Sequence, residues 1–358
     1  MTIKQTRVDA NKLIDFSAKA LQKLGVPEED AKITAKMLVA SDLRGIDSHG
    51  VAHLNMFYAR RIKLGIINLH PRPKVFSQAS ATATIDGDQG LGFVIGHWAM
   101  TEAIKRAQKT GAGFITVGNS THFGAASYYA MMALEYDMIG IAMTNSVAGV
   151  VAPGSTKPAV GTNPLAVAVP AQEKPPFVLD MATSVVAGGK LEIARRLGAS
   201  IPEGWAIDNE GKPITDPNKR TPGEGGLLPL GGNPTQGIYK GFGLGVLVEI
   251  LCGILSGSGA AILHEGPSEA RGNAGDHFFG ALRIDSFLPV DKFKKSMDEM
   301  IEAFETLPKL PNVKKIFVAG GYEAEITKDR KANGIPLDPP VILSLQELAK
   351  ELNIEYNL

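Results

Sequence analysis

Gly90-Leu-Gly-Phe-Val-Ile-Gly96 lies between a β-rich run and an Ala-rich helical pattern, where a dinucleotide-binding turn would stand, and its G-x-G-x-x-x-G spacing invites that reading. The next strand decides against it. Ala112-Gly-Phe-Ile-Thr-Val117 runs into Gly118-Asn119, where the standard pattern needs an acidic residue for the ribose hydroxyls. The glycines are therefore read as a turn within an α/β core that lacks the usual nucleotide fingerprint. No G-x-x-x-x-G-K-[ST] phosphate loop and no G-x-S-x-G nucleophile elbow occurs, which removes the main support for kinase-like and hydrolase readings.

Upstream of this core the pattern is helical. Leu13, Ile14, Leu21 and Leu24 share one face, Gly25 stops the helix, and Pro27-Glu-Glu-Asp30 opens a second helix carrying Ala31, Ile33, Met37 and Leu38. A third helix contains Leu54, Phe57, Tyr58 and Ile62. From Lys74 onward, strands (Lys74–Ser77, Ala81–Asp86, Ala112–Val117, Ile139–Met143, Pro176–Leu179, Phe278–Ile284) alternate with helices at 95–110 and 125–136. Residues 201–237 are dense in Pro, Gly and charge and read as a long surface excursion. Leu244 to Leu255 reads as a core helix, interrupted by Glu249 and too short for the ~20 residues a bilayer span needs. Val290–Leu307 and Leu343–Leu352 read as amphipathic and C-terminal helices. The expected division is 1–73 helical, 74–285 an α/β core, and 286–358 helices returning to the first part.

The 358 residues are 44% hydrophobic and 21% charged, enough for a large buried core. Lys plus Arg equals Asp plus Glu at 37 each, so no basic field is available for nucleic acid or an anionic membrane. Cys252 is the only cysteine, which excludes an internal disulfide and a cysteine-based zinc site; no metal is expected. No charged-then-apolar signal opens the chain, and cytoplasm is the expected compartment.

Two segments carry the chemistry. In Asp42-Leu-Arg-Gly-Ile-Asp-Ser-His-Gly50 and Gly118-Asn-Ser-Thr-His-Phe-Gly124, a histidine stands in a turn of small residues. Such turns bend sharply and leave His49 and His122 facing a cleft, and imidazole exchanges protons near neutral pH. His49 precedes the third helix, where a positive dipole end would hold it neutral, as a base must be. Loops rich in polar-ligand groups follow: Asn145-Ser146, Thr162-Asn163, Asp180-Met-Ala-Thr-Ser184, Gly188-Gly-Lys190 and Tyr239-Lys-Gly-Phe-Gly243. Asp180 is expected either to orient an imidazole or to cap the helix after it.

Taken in order, Arg44-Gly-Ile-Asp-Ser-His-Gly50, His122-Phe-Gly124, Gly161-Thr-Asn-Pro164, Leu179-Asp-Met-Ala-Thr-Ser184 and Tyr239-Lys-Gly241 resemble the type 2 malate/L-lactate dehydrogenase family. That family also holds ureidoglycolate, sulfolactate and diketogulonate dehydrogenases or reductases and a cyclic imine reductase. The resemblance spans Val8 to Leu337. It implies a non-Rossmann, mixed-sheet nicotinamide-binding domain, a helical domain built from the chain ends, and a homodimer with sites near the subunit interface. It also implies NAD as cofactor, with NADP left open. His49, with Ser48 beside it, resembles the proton donor of the diketogulonate branch, and His122 matches the proton acceptor of the ureidoglycolate branch; His49 is preferred for its setting before a helix. Ser146, Met181-Ala182-Thr183 and Lys240-Gly241 match positions that line the cofactor, and Lys190 and Ala319-Gly320-Gly321 are expected on the cofactor side as well.

The chain departs from the family pattern twice. Members commonly carry an arginine four residues after the first histidine, suited to a bidentate grip on a carboxylate; this chain has His53. Carboxylate recognition is then expected from Arg44, Arg60 or a protonated His53, with Thr162 and Asn163 beside it. Many members also have Pro-Gly-Glu where this chain has Ala319-Gly-Gly321. The expected reaction is hydride transfer between nicotinamide and C2 of a small 2-hydroxy acid, malate or lactate foremost. Ureidoglycolate or sulfolactate oxidation, imine reduction and a binding-only protein are the alternatives.

Overall fold

The computed structural model describes residues 6–219, 224–263 and 275–358. Strand β1 (Thr6–Val8) leads into helices α1 (Ala10–Lys23) and α2 (Glu28–Leu43). Asp9 caps α1 by accepting the backbone N–H groups of Asn11 and Lys12 at 2.9 and 3.0 Å. The α2 start has no side-chain cap; Glu28, Glu29 and Asp30 in its first turn offset the helix dipole instead. Gly45, at φ +77°, ends that helix and turns the chain toward a 3₁₀ turn, Asp47–His49.

The third helix is not a plain α-helix. Leu54–Ala59 is a π-helical segment that tightens into α3 (Arg60–Lys63). Its wider turn puts consecutive aromatic residues, Phe57 and Tyr58, against the same histidine, with centroid distances of 5.1 and 6.0 Å to His122.

The core is a mixed seven-stranded sheet. Strands β2 (Lys74–Gln78) and β3 (Thr82–Asp86) are followed by α4 (Gly92–Thr110), β4 (Ala112–Ser120), α5 (Ala126–Met132) and β5 (Met138–Thr144). A small sheet then begins with β6 (Val150–Val151) and β7 (Pro158–Val160), and the chain returns to the main sheet with β8 (Leu165–Val169) and β9 (Phe177–Met181). Helix α6 (Gly188–Arg196), strands β10 (Ala206–Ile207) and β11 (Gly226–Leu227) and helix α7 (Ile238–Glu249) come next, then β12 (Gly275–Arg283). The spatial order is β2-β3-β4-β12-β5-β8-β9. Only β3 and β4 run parallel, joined by α4; all other neighbours are antiparallel. Helices α8 (Val290–Glu305) and α9 (Gly321–Asn333), strand β13 (Ile335–Leu337) and helix α10 (Pro339–Leu352) complete the described chain.

Each glycine of Gly90-x-Gly92-x-x-x-Gly96 is a close-packing site. A Cβ on Gly92 would stand 2.1 Å from the Thr121 carbonyl, and one on Gly96 would stand 2.7 Å from the Tyr129 ring. The Gly92 N–H donates to Thr121 Oγ1 at 3.0 Å. The segment therefore packs against the loop that presents His122; Gly90 lies in the turn that the sequence reading expected, whereas Gly92 and Gly96 belong to the first turns of α4.

The first and last parts of the chain pack together. β1 pairs antiparallel with β13, α1 packs on α10, and α2 packs on α9. Helix α8 lies elsewhere: Asp298 accepts the backbone N–H groups of Gln172, Glu173 and Lys174, so α8 covers the β8–β9 turn.

Two readings are corrected. Residues 201–237 are not merely a surface excursion; 220–223 lie outside the described residues, but the remainder supplies β10 and β11 of the four-stranded sheet β10-β11-β6-β7. Ile201, Ala206, Ile214 and Leu227 bury against Val150, Val160 and Leu191 as a second small core. Leu244 to Leu255 is also not a buried core helix, because Leu247, Ile250 and Ile254 are 46, 44 and 54% exposed, so a whole apolar face reaches solvent.

Candidate active site

Two turns and the π-helical segment bring three histidines into one cluster. The rings of His49 and His122 stack at 5.7 Å, and His53 meets His49 edge-on at 6.1 Å. Beneath His49 the buried Asp42 carboxylate accepts the Val51 N–H at 2.9 Å and fixes the turn. From the other side Asp47 pairs with Arg330 of α9. Gly189, at the start of α6, comes so close that a Cβ there would stand 2.8 Å from Ser48 Cβ.

The imidazoles are held neutral. Burial lowers the pKa of His49, opposed by the negative Asp180; burial brings His53 down to about 4, with His49, Arg196 and Arg61 adding to the effect. Burial, then the neighbouring His49, His53 and Arg61, puts His122 well below its ordinary value. Desolvation, not a helix dipole, is thus the first cause for His49, which ends a 3₁₀ turn and precedes the helix by several residues. A protonated His53 as carboxylate partner is corrected by the same burial.

Hydrogen bonds distinguish the two central histidines. The Gly124 N–H donates to His122 Nδ1 at 3.3 Å, so this nitrogen is an acceptor, and the buried Tyr58 hydroxyl donates to it as well at 2.6 Å. The neutral His122 ring then carries its proton on Nε2. His49 Nδ1 lies 3.0 Å from Ser48 Oγ, which can accept an Nδ1–H and leave the Nε2 lone pair free.

A cavity of about 360 Å³ opens beside His49, lined by Arg44, Ser48, Thr162, Asp180, Met181 and Glu323 among others. Asp180 accepts the Ser127 N–H at 2.9 Å, capping α5 and not the helix that follows it in sequence. Burial raises its pKa, with Ser127, His49 and Arg44 opposing. Arg44 is partly buried, and its Nε finds no hydrogen-bond partner; Glu323 and Asp180 offset its desolvation. Ala182, Ala319 and Gly320 also line this cavity. Gly320 sits at φ +90°, and a Cβ there would meet Val178 N at 2.8 Å, so the 317–320 backbone lies directly on β9.

The other expected residues are placed differently. Asn163 is fully buried, donates to Glu249 Oε2 at 2.8 Å and to the Gly245 carbonyl at 2.9 Å, and accepts the Ser146 N–H at 3.2 Å. It shapes the loop and does not line the cavity. Thr183 is buried, with Oγ1 donating to the Thr162 carbonyl at 3.1 Å. Ser146 packs against Gly161, where a Cβ would come within 2.2 Å of its Oγ. Lys190, Lys240 and Arg60 are exposed, Gly241 packs on the Leu230 backbone, and Gly321 faces Phe317. Arg61, not Arg60, approaches the cluster, its guanidinium 3.4 Å over the Phe57 ring.

Tyr58, Glu249 and Glu323 were not signalled by the sequence. Tyr58 sat within an apolar helical face, and Glu323 lies at the start of α9, a helix the sequence reading did not expect. Glu249 read only as an interruption of a hydrophobic run. It accepts from Asn145 at 3.1 Å, Asn163 and the Ala261 N–H at 2.8 Å, and so joins three loops.

His49 and Arg44 thus share one cavity with an apolar wall, and the proteins this chain resembles are oxidoreductases acting on a CH–OH group. The chain belongs to the malate/L-lactate dehydrogenase family, whose model matches residues 8–346. It is 45% identical to the malate dehydrogenase of Pyrococcus horikoshii over 98% of this chain and 96% of that one. It is 39% identical to the L-sulfolactate dehydrogenase of Methanocaldococcus jannaschii over 93% of this chain and 94% of that one. The crystal structure of malate dehydrogenase from Entamoeba histolytica superposes with a TM-score of 0.95 at 34% identity, covering 99% of this chain and all of that one.

Proposed function

We propose that the protein oxidises L-malate, reversibly, with NAD as the preferred nicotinamide and His49 as the base. The observation that carries this reading is that His49, whose Nδ1 lies 3.0 Å from Ser48 Oγ, shares one cavity with Arg44, Thr162 and Met181. The cavity fits a nicotinamide: Val178, Met181, Ala182 and Phe317 offer an apolar wall for a ring face, and the unpartnered Nε of Arg44 marks a polar group awaiting a ligand. When bound, nicotinamide supplies the hydride acceptor. Thr162, Met181, Ala182 and the Ala319–Gly320 backbone would hold it, within a fold of non-Rossmann type.

His49 Nε2 takes the hydroxyl proton as the C–H bond breaks, so no protonated ketone accumulates. His122, with its proton on Nε2, donates a hydrogen bond to the same oxygen and stabilises the carbonyl that forms. Arg44 takes the carboxylate next to C2, and its burial strengthens the contact.

The exposed apolar face of Leu247, Ile250 and Ile254 supports a homodimer, and the single cysteine supports a cytoplasmic setting. The helical unit would comprise 1–73 and the part of 286–358 that packs on it. The test is loss of NADH, and separately NADPH, absorbance with oxaloacetate, pyruvate, sulfopyruvate, oxalurate and a cyclic imine. Oxaloacetate with NADH is expected to turn over fastest. Silence with every 2-oxo acid would refute the reading, and turnover of the imine alone would replace it.

A further inference from the structure

A second cavity, of about 680 Å³, lies on the other side of the Ser48–His49 turn, between the π-helical segment, α6 and α10. Ser48 lines both cavities, so the two meet at this turn, one on either side of it. Its walls include His53, Phe57, Arg196, Ser344 and Glu347.

The charges in this cavity are unevenly satisfied. Asp47 is paired with Arg330, and Glu192 with Arg195 at 2.7 Å. Arg196, the last residue of α6, is half-buried and makes no hydrogen bond or ion pair among the described residues. Its charge reaches His53, whose Nδ1 is buried without a partner. A guanidinium that lines a cavity without an acceptor presents its planar fork of donors to a carboxylate. Glu347 on the α10 wall disfavours an anion there, whereas on the α6 wall Glu192 is already paired with Arg195 and Arg196 is not. The contact of Gly189 with Ser48 ties the position of α6, and so of Arg196, to the reacting histidine.

We propose that Arg196 is a specificity-determining residue: it holds the carboxylate at the far end of a dicarboxylate 2-hydroxy acid, with His53 Nδ1 as second partner, in the cavity beyond Ser48. This inference rests on the hydroxy-acid reading above. A monocarboxylate of the same 2-oxo acid type leaves Arg196 uncompensated and binds more weakly.

The test compares Arg196→Gln and Arg196→Lys with the unaltered enzyme on oxaloacetate and on pyruvate, which lacks the distal carboxylate. In Arg196→Gln, kcat/KM for oxaloacetate is expected to fall by about tenfold to a hundredfold, mainly through KM, the range for losing a hydrogen bond to a charged group. Pyruvate kinetics are expected to stay within about twofold, and Arg196→Lys should recover part of the loss. Malonate added without cofactor should raise the melting temperature of the unaltered protein and not that of Arg196→Gln. An equal fall for both substrates, or none for oxaloacetate, overturns the proposal. If the unaltered enzyme reduces pyruvate in preference to oxaloacetate, the proposal fails and the hydroxy-acid reading stands; if it reduces neither, nor any other 2-oxo acid, both fail.

Discussion

Gly50 is the residue through which the position of His49 can be tested without touching either histidine. A Cβ at Gly50 would stand 1.8 Å from Oδ1, 2.2 Å from Cγ and 2.5 Å from Oδ2 of Asp42, where ordinary contact begins at 3.4 Å. Gly50 has φ −91°, open to any residue, so the obstacle is steric and not conformational. Asp42 has nowhere to go: it is 2% exposed and holds the Val51 N–H at 2.9 Å. In Gly50→Ala either the turn shifts by more than 1 Å or so, or Asp42 rotates and strands a buried N–H. A shift of that size costs about a hundredfold in rate. Overpacking plus the lost hydrogen bond costs roughly 2–5 kcal/mol in stability. The assay pairs kcat from NADH absorbance with the free energy of urea unfolding. Adding Asp42→Ser makes room for the methyl group, so the double variant should be more stable than the two single losses predict, by about 1 kcal/mol or more. Gly50→Ala with kcat within threefold of the parent and an unchanged unfolding free energy would refute the reasoning.

Further expectations concern protons and packing. His53, at about 4 in the folded state against 6.5 unfolded, binds its proton less tightly when folded; stability is full above pH 6.5 and falls as pH drops toward 4, by roughly 3 kcal/mol from this group. Urea midpoints between pH 7 and 4.5 should trace that loss, and His53→Gln should remove about one proton's worth of slope. Tyr58→Phe deletes a buried 2.6 Å hydrogen bond but leaves the Gly124 N–H on His122 Nδ1, so stability should fall by about 1–2 kcal/mol and kcat by less than tenfold, read by unfolding and steady-state kinetics. Leu247→Glu places a charge on the exposed apolar face of α7, and sedimentation should show a dimer for the parent, as proposed above, and monomers for the variant.

Local signals carried much of this fold into the sequence. The 3.6-residue spacing of Leu13 and Leu21, the Gly25 stop and the acidic start of α2 lie where the helices do, because each depends on neighbours a few residues away. The place of β12 between β4 and β5 was not legible, since its partners, Thr144 to Met138 on one side and Ser120 to Ala112 on the other, are far away in sequence. Residues 201–237 misled because turn-rich composition looks alike whether it covers a surface or builds small strands over a core such as Leu191 and Leu227. The π-helical segment escaped because its apolar positions also suit an α-helix. Within the site, His49 and His122 stood out by their small neighbours. Asn163 looked like a ligand group because polar loop residues advertise hydrogen bonding and not its direction, which here is inward to Glu249. Arg196 carried no local signal, because its place depends on α6 packing against Ser48.

The most direct test of the account is turnover of L-malate with NAD by the parent enzyme, His49→Gln and His122→Gln, followed across pH. The parent should form NADH. His49→Gln should lose about 10² to 10⁴ in kcat, the contribution of a general base. His122→Gln, which can still donate a hydrogen bond to the substrate oxygen, should keep the basic-histidine limb of the pH profile and lose less. His49→Gln with near-parental turnover, alongside an inactive His122→Gln, would contradict the account by making His122 the base.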